Sequence, residues 1–191
     1  MPTYHHLADS DVTSKDRDAI AALLSEVFEP HPRQREMVDA WAADPTRRVI
    51  LAREGAIVGV MVVRLLPGDD LDRYGAPFGV DLHARFGDGP VGTFQCLAVH
   101  PDHRRAGLGR GMAEALADQL RAAGAVGGVG VSWDHGRGSS SRGMFEANGF
   151  TALAESRTFY AAVNAASGQQ CPHCKPEPCA CNAVLFVAAP L

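Results

Sequence analysis

The sequence lacks a long hydrophobic run and an excess of basic residues. Its apolar runs are short, with eight residues in Ala56–Val63 for example, whereas a membrane-spanning helix needs about 20. The 191 residues carry 18 basic and 22 acidic side chains, a formal net charge of −4, and nucleic-acid binding would need a basic surface. The first residues show no basic patch followed by an apolar stretch, the pattern of a secretory signal. We therefore expect a cytoplasmic protein without nucleic-acid or membrane partners.

Cysteine is scarce outside one short segment. Cys96 stands apart. The other four cysteines fall within eleven residues, at Cys171, Cys174, Cys179 and Cys181. In a reducing compartment such a cluster favours a metal site over disulfides. The CxxC and CxC arms can place four thiolates around Zn²⁺, and a site with four thiolates is structural because it has no open position.

Other interpretations of the cysteine segment stay open. His173 could replace one of the four thiolates as a ligand. A redox-sensing pair of thiols and an unstructured segment are the two alternatives to zinc. A loop this small cannot bury a core, so bound metal would supply its folding free energy. We expect a zinc loop at about residues 168–182.

Composition and hydrophobic periodicity predict one α/β domain over residues 1–191. With 46% hydrophobic and 21% charged residues, the chain is typical of a globular protein. Apolar spacing predicts helices over 13–28, 33–43 and 139–147, and one ending near Ala123. Runs rich in Val and Ile predict strands over 47–53, 56–66, 91–99, 126–133, 153–163 and 183–188. Residues 67–90 are predicted to be a long connection rich in turn-forming residues.

The most informative segment lies where the strand predicted over 91–99 leads into a helix. Gly107 and Gly109 have no side chains, so the backbone N–H groups there can face a ligand at close range. These groups precede a helix, where unpaired donors and the helix dipole favour an anion. Arg104, Arg105 and Arg110 add positive charge. The segment predicts a phosphate or diphosphate site, and a glycine-rich helix cap without a ligand is the alternative.

Two common phosphate motifs do not fit this segment. A dinucleotide-binding turn needs a third glycine three residues after Gly109, where this chain has Met112. A Walker A loop needs Gly-Lys-Ser/Thr, which does not occur here. The spacing of Arg104, Gly107 and Gly109 instead resembles the acyl-CoA-binding signature of the GNAT superfamily of N-acetyltransferases.

The resemblance extends beyond the turn. Leu97-Ala98-Val99 looks like the family's fourth strand, and Met144–Phe150 looks like the end of its last helix. The resemblance implies a GNAT-like fold, a mixed central sheet flanked by helices, and acetyl-CoA as cosubstrate. It also implies the cofactor-binding residues, which are Leu97, Ala98, Val99, Arg104, Arg105, Ala106, Gly107, Leu108, Gly109 and Arg110.

The catalytic groups depart from the family pattern. Many members are expected to use a tyrosine on the last helix as general acid, but this chain has Phe145 at the matching position. A glutamate on the fourth strand is also missing, since Gln95 and Cys96 are found there. We expect Asp134 or His135, where the two central strands of such a fold diverge, to remove the proton of the amine. A helix cap for Asp134 and a plain surface role for His135 are the alternatives.

The resemblance implies direct transfer of an acetyl group to an amine, a reaction that depends largely on positioning. The acceptor, a small molecule or a peptide, is not specified by the sequence. A non-catalytic CoA-binding or zinc-mediated interaction module of the same fold is the alternative function. The cysteine loop joins the last two predicted strands, so it could shape the acceptor pocket or a homodimer contact.

Overall fold

A computed structural model gives the structure of the chain. It describes residues 1–9, 11–28, 30–134, 141–167, 171, 174 and 179–190. The chain divides into two compact units. The first comprises Met1–Leu65 and Thr93–Ala123, and the second comprises Leu66–Gly92 and Gly124–Leu191. Within the described residues, no helix has both the length and the apolar character needed to cross a membrane.

Seven strands are present in the described ranges. They are β1 (Thr3–His6), β2 (Arg47–Glu54), β3 (Ala56–Leu66), β4 (Val91–Val99), β5 (Gly127–Asp134), β6 (Thr151–Ser156) and β7 (Asn182–Ala188). They form one mixed sheet in the order β1-β2-β3-β4-β5-β7-β6. Strands β1, β2 and β3 pair antiparallel in the first unit, and β7 lies antiparallel between β5 and β6 in the second.

Helices of very different lengths connect these strands. They are α1 (Ser14–Val27), α2 (Gln34–Ala43), α3 (Asp72–Gly75), α4 (Leu82–Phe86), α5 (Leu108–Ala122), α6 (Arg142–Ala147) and α7 (Phe159–Ser167). Short 3₁₀ turns cover Gly68–Asp70, Ala76–Phe78 and Pro101–His103. The predicted α/β class with a mixed sheet flanked by helices is therefore confirmed.

Most predicted element bounds agree with the structure to within one or two residues. Helix α1 begins after Thr13, whose side chain accepts a hydrogen bond from the Asp16 N–H while Asp16 accepts one from the Thr13 N–H. This reciprocal capping box satisfies two donors that a helix start leaves unpaired. The helix predicted over 139–147 begins at Arg142, and residues 135–140 lie outside the described residues.

The prediction of one strand over residues 153–163 is wrong. Strand β6 ends at Ser156, and after a bend the chain continues as helix α7. The helix contains four alanines, and alanine has the highest helix propensity. The Ala162 N–H donates to the Thr158 carbonyl over 3.0 Å, which closes the first helical turn. The apolar content of 153–163 thus comes from an edge strand followed by a helix that packs on β7.

The connection predicted over residues 67–90 does lie between β3 and β4, but it has more regular structure than its turn-forming composition indicates. Two helices and two 3₁₀ turns occupy most of it. Leu71 and Leu82 have no solvent-exposed surface, and they pack in one cluster with Phe86 and residues of β4, β5 and β7. At Gly68 a Cβ would meet the Gly87 backbone, so glycine permits a close approach of the two turns. The segment is part of the second unit's core.

Helix α5 packs on the strands of the first unit through small residues. A Cβ on Gly59 of β3 would lie 3.0 Å from the Met112 Cε and 3.3 Å from the Ala52 Cβ. Met112, Leu116 and Leu120 are fully buried, which gives the helix one apolar stripe. This packing fixes the position of the N terminus of α5 within its unit.

Candidate active site

The segment between β4 and α5 leaves the sheet through a tight corner. The His100 N–H donates to the Val58 carbonyl over 2.9 Å, the last strand-like contact before the chain turns. Pro101–His103 then form a 3₁₀ turn, and the Asp102 N–H donates to the His100 Nδ1 over 3.3 Å. The corner therefore brings the following residues to the N-terminal end of α5.

Two residues of this turn have left-handed backbone conformations. Gly107 has a φ of +81°. Arg105 has a φ of +63° and is the only non-glycine residue with a positive φ among those that the structure describes. A non-glycine residue in this region costs about 1 kcal/mol or more and persists where its surroundings determine the conformation. Where right-handed and left-handed backbone conformations alternate, successive N–H groups can also form a concave site that binds anions.

The start of α5 has no side-chain cap. Gly107 occupies the N-cap position without any side-chain hydrogen bond, and the first helical hydrogen bond runs from the Gly111 N–H to the Gly107 carbonyl over 3.0 Å. The N–H groups of Leu108, Gly109 and Arg110 precede that bond, so they have no partner within the helix. A Cβ on Gly107 would meet no described atom within 4 Å. An anion can therefore approach the helix N terminus directly.

Three arginines give this turn its positive charge, and all three are exposed. The Arg104 Nε donates to the Val99 carbonyl over 3.1 Å, which ties its guanidinium to the end of β4. The Arg110 Nε lies 2.8 Å from the Glu114 Oε1, one helical turn later. Arg104 and Arg110 are thus held near the turn by neighbours in their own unit.

The structure limits how some predicted cofactor-binding residues could act. Leu108 is 2% exposed and Ala98 is fully buried, so their side chains belong to the core. Only their backbone groups can contact a ligand. Leu97 and Val99 are partly exposed, whereas Ala106, Gly107 and the arginines lie at the surface. The structure brings the turn residues together in the first unit at the end of β4.

Cys96 on β4 is not an activated nucleophile. It packs beside the buried cluster of the first unit. Burial raises the pKa of its thiol to about 12, so the reactive thiolate form is scarce at neutral pH.

The predicted base Asp134 is the last residue of β5. It lies opposite Asn182 in the β5–β7 register and is partly buried. The Asn182 Nδ2 donates in turn to the Glu155 Oε2 over 2.8 Å. His135, the other predicted base, lies outside the described residues.

Phe145 is a core residue, which explains its departure from the family pattern. It is 2% exposed, and its ring stacks on Phe186 with centroids 5.1 Å apart. Phe150 packs against the same ring at 5.2 Å. A Cβ on Gly130 of β5 would overlap the Phe145 ring, so the glycine makes room for it. A proton donor is therefore not available from this position.

The four clustered cysteines meet in the second unit. Their four sulfur atoms lie within 4.8 Å of one another, and they belong to Cys171, Cys174, Cys179 and Cys181. The Cys181 Sγ is 3.7 Å from the Cys171 Sγ and 3.6 Å from the Cys174 Sγ. Sulfurs about 2.3 Å from a zinc ion in a tetrahedron lie about 3.8 Å apart. The donor set and its spacing therefore fit zinc.

Hydrogen bonds to sulfur support the cluster. The Ala180 N–H donates to the Cys174 Sγ over 3.4 Å, and this bond is the largest cause of the lowered pKa of Cys174. Burial raises the pKa of Cys181 to about 12, and the Trp133 side chain opposes that rise. N–H donors favour the thiolate form, which is the form that binds metal.

Two aromatic residues beside the cluster were not assigned to it by sequence reasoning. Trp133 immediately precedes Asp134 on β5, and its ring lies 5.9 Å from that of Tyr160 on α7. Burial, with the charges of Cys181 and Cys179, raises the pKa of Tyr160 above its ordinary value, so it keeps its proton. The spacing of cysteines carries no signal for aromatic neighbours that fold back from other elements.

Comparisons with known proteins agree with the fold. NAA60 from Arabidopsis thaliana, solved with a bisubstrate analogue, has a TM-score of 0.71 at 10% identity, with 99% of this chain and 98% of that chain covered. The ribosomal-protein-S18-alanine N-acetyltransferase from Escherichia coli has a TM-score of 0.65 at 15% identity, with 99% and 94% covered. The aminoglycoside 6'-N-acetyltransferase from Enterococcus faecium has a TM-score of 0.63 at 12% identity, with 98% and 96% covered.

Sequence comparison goes further than the structural likeness. A search of curated proteins found no match. The profile described as "Acetyltransferase (GNAT) family" matches residues 17–150, more than two thirds of the chain and the whole turn between β4 and α5. The chain therefore belongs to the GNAT family of acetyltransferases.

Proposed function

We propose that the chain is an acetyl-CoA-dependent N-acetyltransferase whose diphosphate-binding turn is Arg104–Arg110. The observation that carries the proposal is the uncapped N terminus of α5, which begins at left-handed Gly107 beside exposed arginines. Free N–H donors and the helix dipole stabilise an anion at this position. The backbone of Leu97–Val99, at the end of β4, would pair with the pantetheine arm.

Bound acetyl-CoA supplies an acetyl group activated as a thioester. The acceptor nitrogen forms a bond to the acetyl carbon, the carbon–sulfur bond breaks, and the electron pair leaves on sulfur. Asp134 or His135 removes the proton from the acceptor nitrogen, directly or through water. Because Phe145 has no proton to give, the sulfur leaves as thiolate. An ordinary thiol has a pKa of about 8.5, which makes this exit feasible near neutral pH.

We also propose that the four clustered cysteines hold a structural Zn²⁺. The sulfur spacing, the thiolate donor set and the N–H group of Ala180 support this assignment. The metal would fix the segment between α7 and β7, and through Cys181 it would fix the start of β7. Four protein ligands leave the ion no open position for substrate.

The acceptor is proposed to be an amine of a small molecule or a peptide. The similar structures include enzymes named for an aminoglycoside and for a ribosomal-protein alanine, and one complex with a bisubstrate analogue. A cytoplasmic location, a homodimer and one domain over residues 1–191 remain predictions. A non-catalytic CoA-binding module is the second candidate, because the buried Phe145 removes one expected catalytic group.

Two measurements test the proposed activity. Isothermal titration with CoA measures cofactor binding, and thiol release from acetyl-CoA over a panel of amines measures transfer. We expect binding together with thiol release for at least one amine class. Binding without release from any amine would favour the non-catalytic module, and absence of CoA binding would refute both.

A matched pair of glycine variants tests the turn itself. Gly107→Ala places a Cβ at the helix N terminus, whereas Gly124→Ala introduces the same backbone strain at a φ of +74° after α5. Both variants are expected to lose about 1 kcal/mol of unfolding free energy. Only Gly107→Ala should weaken CoA binding, by about tenfold. Equal CoA affinity of the two variants would contradict the assignment.

A further inference from the structure

Side chains from two other elements flank the diphosphate-binding turn within the first unit. Glu54 ends β2 at the β2–β3 hairpin, and its Oε2 lies 2.8 Å from the His103 Nδ1 in the 3₁₀ turn. About a third of each side chain is exposed, 34% for Glu54 and 33% for His103. The pair therefore connects the hairpin to the residue before Arg104.

Tyr4 of β1 contacts the other side of the turn. A Cβ added to Gly111, in the first turn of α5, would overlap the Tyr4 hydroxyl and lie 2.5 Å from its Cζ. Burial, followed by the charges of Glu114 and Glu54, raises the pKa of Tyr4, so its hydroxyl stays protonated. Because Gly111 has no side chain, the Tyr4 ring fits against α5 at this position, and any larger residue would collide with it.

The strained residue lies between these two contacts. Arg105, with its φ of +63°, follows His103 by two residues and precedes Gly111 by six. A backbone conformation of this kind persists only where neighbouring structure determines it. His103 supplies a contact before the strained residue, and Gly111 supplies one after it.

A second histidine, His100, helps to hold His103 in place before the strained residue. The His100 Nε2 lies 3.2 Å from the Glu26 Oε1 of α1, and the His103 N–H donates to the His100 carbonyl over 2.9 Å. The two histidine rings meet edge to face with centroids 5.5 Å apart. His103 is thereby held by both its side chain and its backbone.

We propose that Tyr4, Glu54 and His103 form a brace that holds the diphosphate-binding turn in its binding conformation, and that Gly111 is a glycine in order to admit Tyr4. The brace rests on the proposed function, since it presumes that the turn binds CoA. Its residues act through the backbone of the turn. Loss of the brace therefore weakens CoA binding while the rate of the bound complex is kept, because a preorganised site loses less free energy on ordering.

A rescue experiment tests the contact between Tyr4 and Gly111. CoA affinity is measured by isothermal titration for Gly111→Ala, Tyr4→Val and the double variant. Valine suits a strand and removes the ring that the new Cβ would meet. Gly111→Ala should raise the Kd for CoA at least tenfold, and the double variant should return to within about threefold of Tyr4→Val alone.

Gly143→Ala is the matched control for this rescue. Gly143 is also helical, and a Cβ there would meet no described atom within 4 Å. This variant should bind CoA as the wild type does. A double variant that binds CoA as weakly as Gly111→Ala would overturn the proposal, because position 111 would then need to be glycine to make room for the ligand rather than for the Tyr4 ring. If Gly111→Ala alone does not fold, the double variant decides: folding with a Kd close to that of Tyr4→Val supports the brace, and failure to fold or bind overturns it.

A double-mutant cycle tests the contact between Glu54 and His103. Glu54→Gln and His103→Gln should each raise the Kd for CoA about three- to fivefold, a size typical of a partly exposed polar pair. The double variant should show no further rise, and kcat at saturating acetyl-CoA should stay within about twofold. Asp118→Asn, which removes an exposed carboxylate paired with Arg121 near the far end of α5, should leave the Kd unchanged. Additive effects, or a fall in kcat at unchanged Kd, would overturn the proposal.

The outcomes separate this inference from the proposed function. A wild-type protein that does not bind CoA refutes the proposed function. A wild-type protein that binds CoA, with brace variants that bind it equally well, refutes only the brace.

Discussion

The turn before α5 and the cysteine cluster are built in opposite ways. The turn presents backbone N–H groups, which are accessible because side chains are missing there, as at Gly107. The cluster presents four thiols, and its backbone is short and contributes an N–H group at Ala180. The turn is preorganised by the fold of its own unit, whereas the proposed zinc would supply the folding free energy of the cluster. The two regions should therefore respond to opposite perturbations.

Removing metal should produce the largest effect and should act on the second region. Cys171→Ser with Cys174→Ser leaves two of the four thiolates, which cannot hold zinc with comparable affinity. We expect about one equivalent of zinc in the wild type and less than a tenth in the variant, by elemental analysis of protein purified without chelator. The melting temperature should fall by about 10 °C or more. The control variant Cys96→Ala, changed outside the cluster, should retain about as much zinc as the wild type.

Less than half an equivalent of zinc in the wild type would contradict the assignment. The redox alternative would then gain support if the same sample showed a disulfide under non-reducing conditions. The affinity for CoA should be nearly the same with and without zinc if the turn and the cysteine cluster act independently.

Removing the proposed base should produce the next largest effect. Asp134→Asn keeps the size of the side chain and removes its basicity, so kcat should fall about 100-fold or more, and the Kd for CoA should stay the same. His135→Gln is measured beside it. Glu146→Gln, a carboxylate on α6 paired with Arg142, is the control. Unchanged kcat and unchanged pH profiles in both Asp134 and His135 variants would remove both residues from the mechanism.

Removing the Trp133 indole N–H should weaken the proposed metal site without abolishing it. Trp133→Phe keeps a ring against Tyr160 but loses the polar indole N–H of the side chain that favours the Cys181 thiolate. Loss of such an outer-shell partner typically lowers metal affinity about 10- to 100-fold. Competition with a chromophoric chelator measures it. Trp41→Phe, in the core of the first unit, is the control, and equal zinc affinity of the two variants would show that Trp133 does not support the cluster.

The smallest expected effect is on stability, and it concerns a contact between α1 and β2 in the same unit as the turn. The Asp16 carboxylate bonds Arg53 over 2.9 Å and the Thr13 N–H over 2.7 Å, and these contacts lower its pKa well below the ordinary value. A lowered folded-state pKa stabilises the protein above the unfolded pKa of about 3.9, and this stability is lost as the pH falls. Asp16→Asn should therefore lose about 1 kcal/mol of unfolding free energy at pH 7.

Urea unfolding at several pH values measures this difference. The gap between the wild type and Asp16→Asn should narrow as the pH falls below about 4. A gap that stays constant with pH would show that the carboxylate charge is not the source of the stability. CoA affinity at pH 7 should be the same for both proteins.

The position of the turn was predictable from sequence because its proposed function depends on positions that have no side chain. Two glycines, at 107 and 109, and an arginine at 104 directly precede a helix with apolar spacing, and this local pattern is typical of an anion site. The strained Arg105 and the contacts of Tyr4 and Glu54 were not predictable. They bring together residues about 50 to 100 positions apart, and no local pattern records such pairing.

The second unit was predicted less well for a related reason. Residues 67–90 contain many turn formers, yet Leu71, Leu82 and Phe86 are apolar residues that the core requires, so short helices form there. The apolar content of residues 159–163 favoured a strand, but the alanines of α7 favour a helix. Over residues 153–163 the composition therefore indicated the wrong backbone, and over residues 67–90 it gave no sign of the short helices.

Amide chemical shifts during a titration with CoA test the central claim most directly. We expect the largest shift changes at the N–H groups of Gly107, Leu108, Gly109 and Arg110, because these groups would bind the diphosphate. Their dependence on CoA concentration should match the Kd from calorimetry. Saturation with CoA that leaves these four resonances in place would contradict the account.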